Sequence, residues 1–107
     1  MWSTQFEHEI RLAEEARAAG QGGKARVCAR RAAGIVWGAY FQRNEIADPG
    51  PSAYDRLRHF LTLTGTPQGT REVVEHLLLR VREDFELPLD VDLIAETHRL
   101  AQALLEE

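Results

Sequence analysis

The decisive stretch of this sequence is ARVCARRAAGIVWGAY, residues 25–40. Alanine or glycine fills seven of these positions, and two of them, Gly34 and Gly38, are interior glycines. Each interior glycine costs a helix up to about 1 kcal/mol relative to alanine. We expect the missing side chains to allow close backbone approach to a neighbouring element. The stretch therefore predicts a long helix, residues 24–43, at the centre of the fold.

Other segments repeat apolar residues at helical spacing, as in Val74, Leu77, Leu78 and Val81. No stretch alternates apolar and polar residues in the manner of a strand. We therefore predict one all-α domain over residues 1–107, an up-and-down bundle of about five helices. The remaining predicted helices span residues 5–19, 53–63 and 71–85, with a last one that starts after Asp90 or Asp92 and nearly reaches Glu107.

Capping and turn signals delimit these helices. Thr4 with Glu7 has the spacing of a capping box, and Gly20 has the residue type of a left-handed helix end. Ser52 is predicted to cap the third helix and Thr70 the fourth.

Charge is distributed unevenly along the 107 residues, whose net charge is −4. Residues 1–47 carry seven Lys/Arg and five Asp/Glu, whereas residues 48–107 carry six and twelve. Such a chain is a poor general nucleic-acid binder, because that affinity rests on phosphate neutralisation. Lys24, Arg26, Arg30 and Arg31 form the one basic cluster, which predicts an anion site at Lys24, Arg26 and Arg30 or, alternatively, a solvated face paired to glutamates.

The predictions of cellular location and of cofactor use depend on sequence patterns that this chain lacks. No apolar run approaches the ~18 residues of a membrane helix, and the first residues lack the pattern of a signal peptide. The only cysteine, Cys28, has no partner for an internal disulfide. The four histidines are scattered over separate helices. We predict a cytoplasmic protein without a membrane segment, metal or cofactor.

The sequence of residues 25–40 resembles the alanine-rich second helix of HEPN domains. The order of elements is also similar: long helix, tight turn, small-residue helix, variable loop, short helix and two final helices. Arg31 and Gly34 stand where that family often has Gln and Glu. The resemblance implies a helical bundle that forms a two-fold dimer, with a link to RNA cleavage or to a nucleotidyltransferase partner.

Ribonuclease members of that family carry Arg, four to six residues, then His, a spacing that Arg71 and His76 match. The resemblance makes these two the catalytic candidates, as phosphate clamp and general acid/base. Glu72 stands where the family usually has Asn, His or Asp. Five residues of helix separate the two side chains by roughly 140°, so they are expected to converge across a dimer axis. A solvated Arg and a rim His are the alternative.

Aromatic residues on the second helix predict an interface. Trp2 and Trp37 are difficult to bury together with Tyr40, Phe41 and Tyr54 in a bundle of this size, and Trp is enriched in interface cores. The predicted interface residues are Trp37, Tyr40 and Phe41. Burial within the chain is the alternative. We therefore expect a HEPN-like homodimeric binding or interaction module, without enzyme activity of its own and with a protein partner possible. The alternatives are a metal-independent ribonuclease, which would bind RNA or a nucleotide, and an antitoxin-type partner of a nucleotidyltransferase.

Overall fold

The computed structural model describes residues 2–78 and 92–105. Within these ranges the chain forms five α-helices and no strand, which confirms the predicted all-α bundle. The helices are α1 (Trp2–Ala18), α2 (Gly22–Arg43), α3 (Ala53–Phe60), α4 (Thr70–Leu77) and α5 (Leu93–Leu104).

The start of α1 differs from the prediction. The helix begins at Trp2, so Thr4 lies inside the first turn and the predicted capping box is wrong. Trp2 packs edge-on against Phe6, one turn later, with ring centroids 5.8 Å apart. This contact gives the extra N-terminal residues a reason to be helical. Gly20, after the helix, has φ +76°, as its left-handed role required.

Two of the predicted caps are present. Ser52 Oγ accepts a hydrogen bond from the Asp55 amide at 3.2 Å, and Asp92 caps α5 through the Ala95 amide at 3.1 Å. Thr70 is not a cap, because α4 begins at Thr70 itself and its hydroxyl donates to the Pro67 carbonyl. The continuation of this helix toward residue 85, and residue 90, lie outside the described residues.

The helix α2 is the centre of the bundle, as the sequence predicted. It contacts each of the other four described helices. Ala29, Ala32, Ala33 and Val36 on α2 are completely buried. Small side chains on a central helix let several neighbours approach it closely, which explains why this stretch contains so few large residues.

The two interior glycines of α2, Gly34 and Gly38, face α3. A Cβ added at Gly34 would lie 2.6 Å from the Ala53 Cβ and 2.8 Å from its Cα. A Cβ added at Gly38 would lie 2.6 Å from an Arg56 guanidinium nitrogen. The expected close approach is therefore real, and its partner is the start of α3 in the same chain.

Polar contacts between helix ends indicate how the helices run. Arg17, near the end of α1, pairs with Asp92 before α5 at 3.2 Å. Arg43, at the end of α2, donates to the Leu105 carbonyl after α5 at 2.8 Å. Therefore α1 runs antiparallel to α5, and α2 runs parallel to it. The connection after α2 returns along that helix, so α3 begins beside Gly34. The alternating helix directions of an up-and-down bundle therefore do not extend to α3.

The aromatic residues of α2 correct the predicted interface. Trp37 and Phe41 are each 0 % exposed within the single chain, and the Trp37 ring lies 3.7 Å from that of Phe60 on α3. Their rings cannot face a second chain because α3 covers them. Tyr40 is half-buried, with its ring edge-on to Trp37 at 5.3 Å. Of the three predicted interface residues, only Tyr40 retains an accessible surface.

We expect Gly34→Ala to destabilise the protein and Gly23→Ala to stabilise it. The first change places a methyl against the Ala53 backbone, an overpacking that costs about 1–3 kcal/mol and exceeds the helix-propensity gain of up to about 1 kcal/mol. At Gly23 the nearest atom to an added Cβ is 3.6 Å away, an ordinary contact. Urea unfolding followed by circular dichroism measures both. Equal effects of the two substitutions would contradict the close approach of α3.

Candidate functional site

An open groove runs along the face of α2 that no other described helix covers. It consists of two hollows of about 570 and 360 Å³, which share Ile35 and Arg56 in their walls. The N-terminal half of α1 forms one side, and residues 46–56 form the other. We call this surface the α2 groove; it is lined by Trp2, Gln5, Glu9, Arg31, Gly34, Ile35, Gly38, Ala39, Gln42, Ile46, Asp48, Pro51, Ser52, Ala53 and Arg56.

Arg56 and Asp48 form the fixed wall of the groove. Arg56 Nε and Nη2 donate to the two Asp48 carboxylate oxygens at 3.1 and 2.8 Å, and Nη1 donates to the Gly34 carbonyl at 3.1 Å. Asp48 Oδ1 also accepts from the Gly50 amide at 3.0 Å. A two-point pair of this kind fixes both side chains. This pair thus holds the wall of the groove in place, and the charges of Arg56 and Asp48 neutralise each other.

The hydrogen bonds from Arg56 lower the pKa of Asp48 below its ordinary value. Partial burial of the carboxyl opposes this shift, and the Gly50 amide adds to it. A depressed carboxyl pKa means that the folded state binds the proton less readily than the unfolded state. The stability that the folded protein gains from the Asp48 carboxylate beside Arg56 is therefore present above the pKa of the unfolded carboxyl. It is lost as the pH falls.

Two further charges line the smaller hollow. Glu9 comes from α1 and Arg31 from α2. Within the described residues neither side chain forms a salt bridge, although both signs are present in one hollow. Glu9 Oε2 is shielded from solvent and has no hydrogen-bond partner among the described residues. The groove thus combines apolar side chains, such as Ile35, with a partly buried acid and an exposed base.

The predicted basic cluster is only partly assembled. Lys24 is exposed in the first turn of α2, while the Arg26 guanidinium folds back over Gly22. Arg30 Nε donates to the Leu77 carbonyl at the end of α4, at 2.9 Å. Burial of Arg30, and next the positive charge of Arg26, lower the Arg30 pKa. Arg30 therefore serves the packing of α4, and anion binding at these residues stays a prediction.

The catalytic candidates point to different places. Arg71 is exposed, and its Nη2 donates to the Leu61 carbonyl at 2.8 Å. The His76 side chain is 13 % exposed and lies between α4 and α5. Within one chain the structure does not bring Arg71 and His76 together. The ribonuclease hypothesis therefore still requires a second chain to supply the missing partner.

His76 instead meets a carboxylate that sequence reasoning missed. Its Nδ1 lies 2.8 and 2.9 Å from the two oxygens of Glu96 on α5, whose side chain is 10 % exposed. A carboxylate only accepts hydrogen bonds, so Nδ1 carries the proton and donates. Nε2 points toward Glu72, 3.7 Å away. Geometrically this is a carboxylate-oriented histidine, but the group beside its free nitrogen is another acid, which repels a phosphate.

A sequence signal for Glu96 did exist. It follows Leu93 by three residues and precedes Leu100 by four, so it occupies a core position of the apolar stripe of α5. A carboxylate at such a position requires a buried partner. Glu9 and Asp48 carried no comparable signal, because their roles depend on which elements flank α2.

Comparisons with known proteins place the chain in no family. No family model matches it, and neither a curated protein nor a solved structure matches it significantly. In the part of the chain that the structure describes, no three His, Cys, Asp or Glu side chains are grouped so as to hold a metal ion. Over the same residues, no helix has both the length and the apolar character to cross a membrane.

We expect His76→Ala to lower the free energy of unfolding by about 3 kcal/mol, because it leaves the buried Glu96 carboxylate with only the distant, exposed Arg99 guanidinium, 3.8 Å away. Removing both groups in His76→Ala/Glu96→Ala should cost less than the sum of the two single changes. Glu75→Ala, at the exposed neighbouring position, is the matched control and should change stability by less than about 0.5 kcal/mol. Urea unfolding of the four variants measures this. Additive losses would contradict a coupled pair.

We expect Asp48→Asn to lower stability at pH 7 by less than about 1 kcal/mol, since the pair is partly exposed. The asparagine keeps an oxygen for the Gly50 amide but loses the charge that Arg56 binds. The difference from the natural protein should shrink as the pH falls below about 4, where the unfolded carboxyl is protonated. Thermal unfolding from pH 3 to 7 measures it, with Glu14→Gln on exposed α1 surface as control. A difference that grows at low pH would have the wrong sign for this pair.

Proposed function

We propose that this chain is a HEPN-like helical bundle that acts as a homodimeric binding module, without enzyme activity of its own. The single observation that carries the proposal is the α2 groove. A central helix that contacts four neighbours still exposes one stripe, and that stripe includes apolar side chains. A second copy of the chain is the occupant we propose for it.

The groove supports this proposal through its chemistry. Ile35 and Ala39 from α2 and Ile46 from the following connection are only partly buried, and each also packs against the core. Interfaces of this type place apolar side chains at the centre and charges at the rim. Glu9 and Arg31 supply charges of both signs beside this apolar floor, and neither forms a salt bridge with another described residue. A self-complementary surface needs both signs, because the same patch meets itself across a two-fold axis.

The other residues of catalytic interest favour binding over chemistry. His76 is held by Glu96, and Arg71 is held by the Leu61 carbonyl on another side of α4. A phosphate approaching His76 Nε2 would meet the Glu72 carboxylate. These contacts give both residues structural roles, so we place the function at the groove and not at this pair.

We propose the cytoplasm as the location. Cys28 is a buried free thiol on the central helix, and it packs as a small apolar side chain. A reducing compartment keeps such a thiol unmodified.

We expect the natural chain to be a dimer at micromolar concentration and Ile35→Glu to be a monomer. The new carboxylate would be buried in the apolar part of the interface, which costs several kcal/mol without a partner. Sedimentation velocity, together with light scattering on a sizing column, measures the mass. Ala39→Glu tests the same surface independently.

Val27→Glu is the matched control. Val27 is also an aliphatic residue on α2, but it is 43 % exposed and does not line the groove. This variant should remain a dimer. Circular dichroism checks that every variant is folded. A monomeric natural chain, or an Ile35→Glu variant that still dimerises, would overturn the proposal.

A further inference from the structure

The smaller hollow of the α2 groove holds an unusual combination of charges. Glu9 and Arg31 line the same 360 Å³ space from two adjacent helices. Opposite charges this close on a surface normally pair when their side chains reach each other. Yet no salt bridge joins them among the described residues. Within the part of the chain that the structure describes, neither has an ion-pair partner, so both are placed to meet a charged group of a second molecule.

Glu9 carries a cost that a partner would offset. Glu9 is partly buried, and its Oε2 is shielded from solvent and accepts no hydrogen bond from any described residue. An unpaired buried acceptor loses its hydration without replacement, and for a charged group that loss is large. Arg31 is exposed and supplies the planar, two-point donor that suits a carboxylate.

Symmetry allows these two residues to satisfy each other in a dimer. In a two-fold interface, if residue i of one copy contacts residue j of the other, the reverse contact also forms. An axis through the smaller hollow places Glu9 of each copy opposite Arg31 of the other. The result is two equivalent ion pairs that flank the axis.

We infer that Glu9 and Arg31 pair reciprocally between two copies of this chain, and that these pairs set the register of the homodimer. This inference rests on the proposed function and names the surface that performs it. The occupant is a second copy because one hollow contains both members of the pair. An acidic or a basic peptide would use only one of them.

Charge reversal tests the inference. In Glu9→Arg each interface brings two arginine pairs together, and in Arg31→Glu it brings two glutamate pairs together. Each variant alone should dimerise at least about tenfold more weakly than the natural chain, because like charges across an interface repel strongly. An equimolar mixture of the two should regain natural affinity, since every contact in the mixed dimer then joins opposite charges.

The equimolar mixture distinguishes pairing across the interface from pairing within one chain. If Glu9 and Arg31 interact only within one chain, mixing the two variants cannot restore the affinity of the dimer. Glu14→Arg, an exposed acid on α1 that does not line the groove, is the control and should dimerise normally. Should a reversal variant fail to fold, Glu9→Gln and Arg31→Gln take its place, each with an expected several-fold weakening.

The outcomes separate this inference from the proposed function. Restoration in the mixture supports the reciprocal pairs. If the natural chain dimerises but neither charge reversal weakens the dimer, or if the mixture still dimerises weakly, the reciprocal pairs are overturned. Either result leaves the homodimer in place. A natural chain that is monomeric at micromolar concentration overturns both.

Discussion

The contact between Gly34 and Ala53 is the constraint on which the rest of the structure depends. Only the Ala53 methyl lies between the two helices there, and a methyl added at Gly34 would lie 2.6 Å from the Ala53 Cβ. This approach brings α3 onto the middle of α2. Phe60 then covers Trp37, and Arg56 reaches both Asp48 and the Gly34 carbonyl. The aromatic core and the wall of the groove both follow from one missing side chain.

The same packing explains why the groove exists. The helix α2 contacts the four other described helices, and the connection after it, residues 44–52, returns along its length. α1 closes one side, while α3 and the Asp48–Arg56 pair close the other. The stripe through Ile35 remains open because none of the described helices covers it. A central helix usually has no free surface, so this stripe stands out among the surfaces of the described residues.

The pair of His76 and Glu96 is a buried charged contact that the sequence predicts only in part. The motif spacing drew attention to Arg71 and His76, yet spacing along one helix only indicates the angle between two side chains. The partner of His76 is Glu96 on another helix, 2.8 Å away. The apolar stripe of α5 contained a signal for that burial, since a carboxylate stood at a core position. The sequence did not show which basic residue contacts Glu96, because it contains several histidines and arginines.

The sequence by itself determined the five helices, the central place of residues 25–40 and the close approach at its glycines. These properties follow from local periodicity, capping chemistry and side-chain size, which each residue carries wherever it stands. Only the tertiary structure decided that Trp37 and Phe41 are internal, that Thr4 is not a cap, and that Glu9 and Arg31 share one hollow. Burial and pairing depend on which surfaces neighbouring helices cover, and a long connection such as the one after α2 leaves that choice open until the chain has packed.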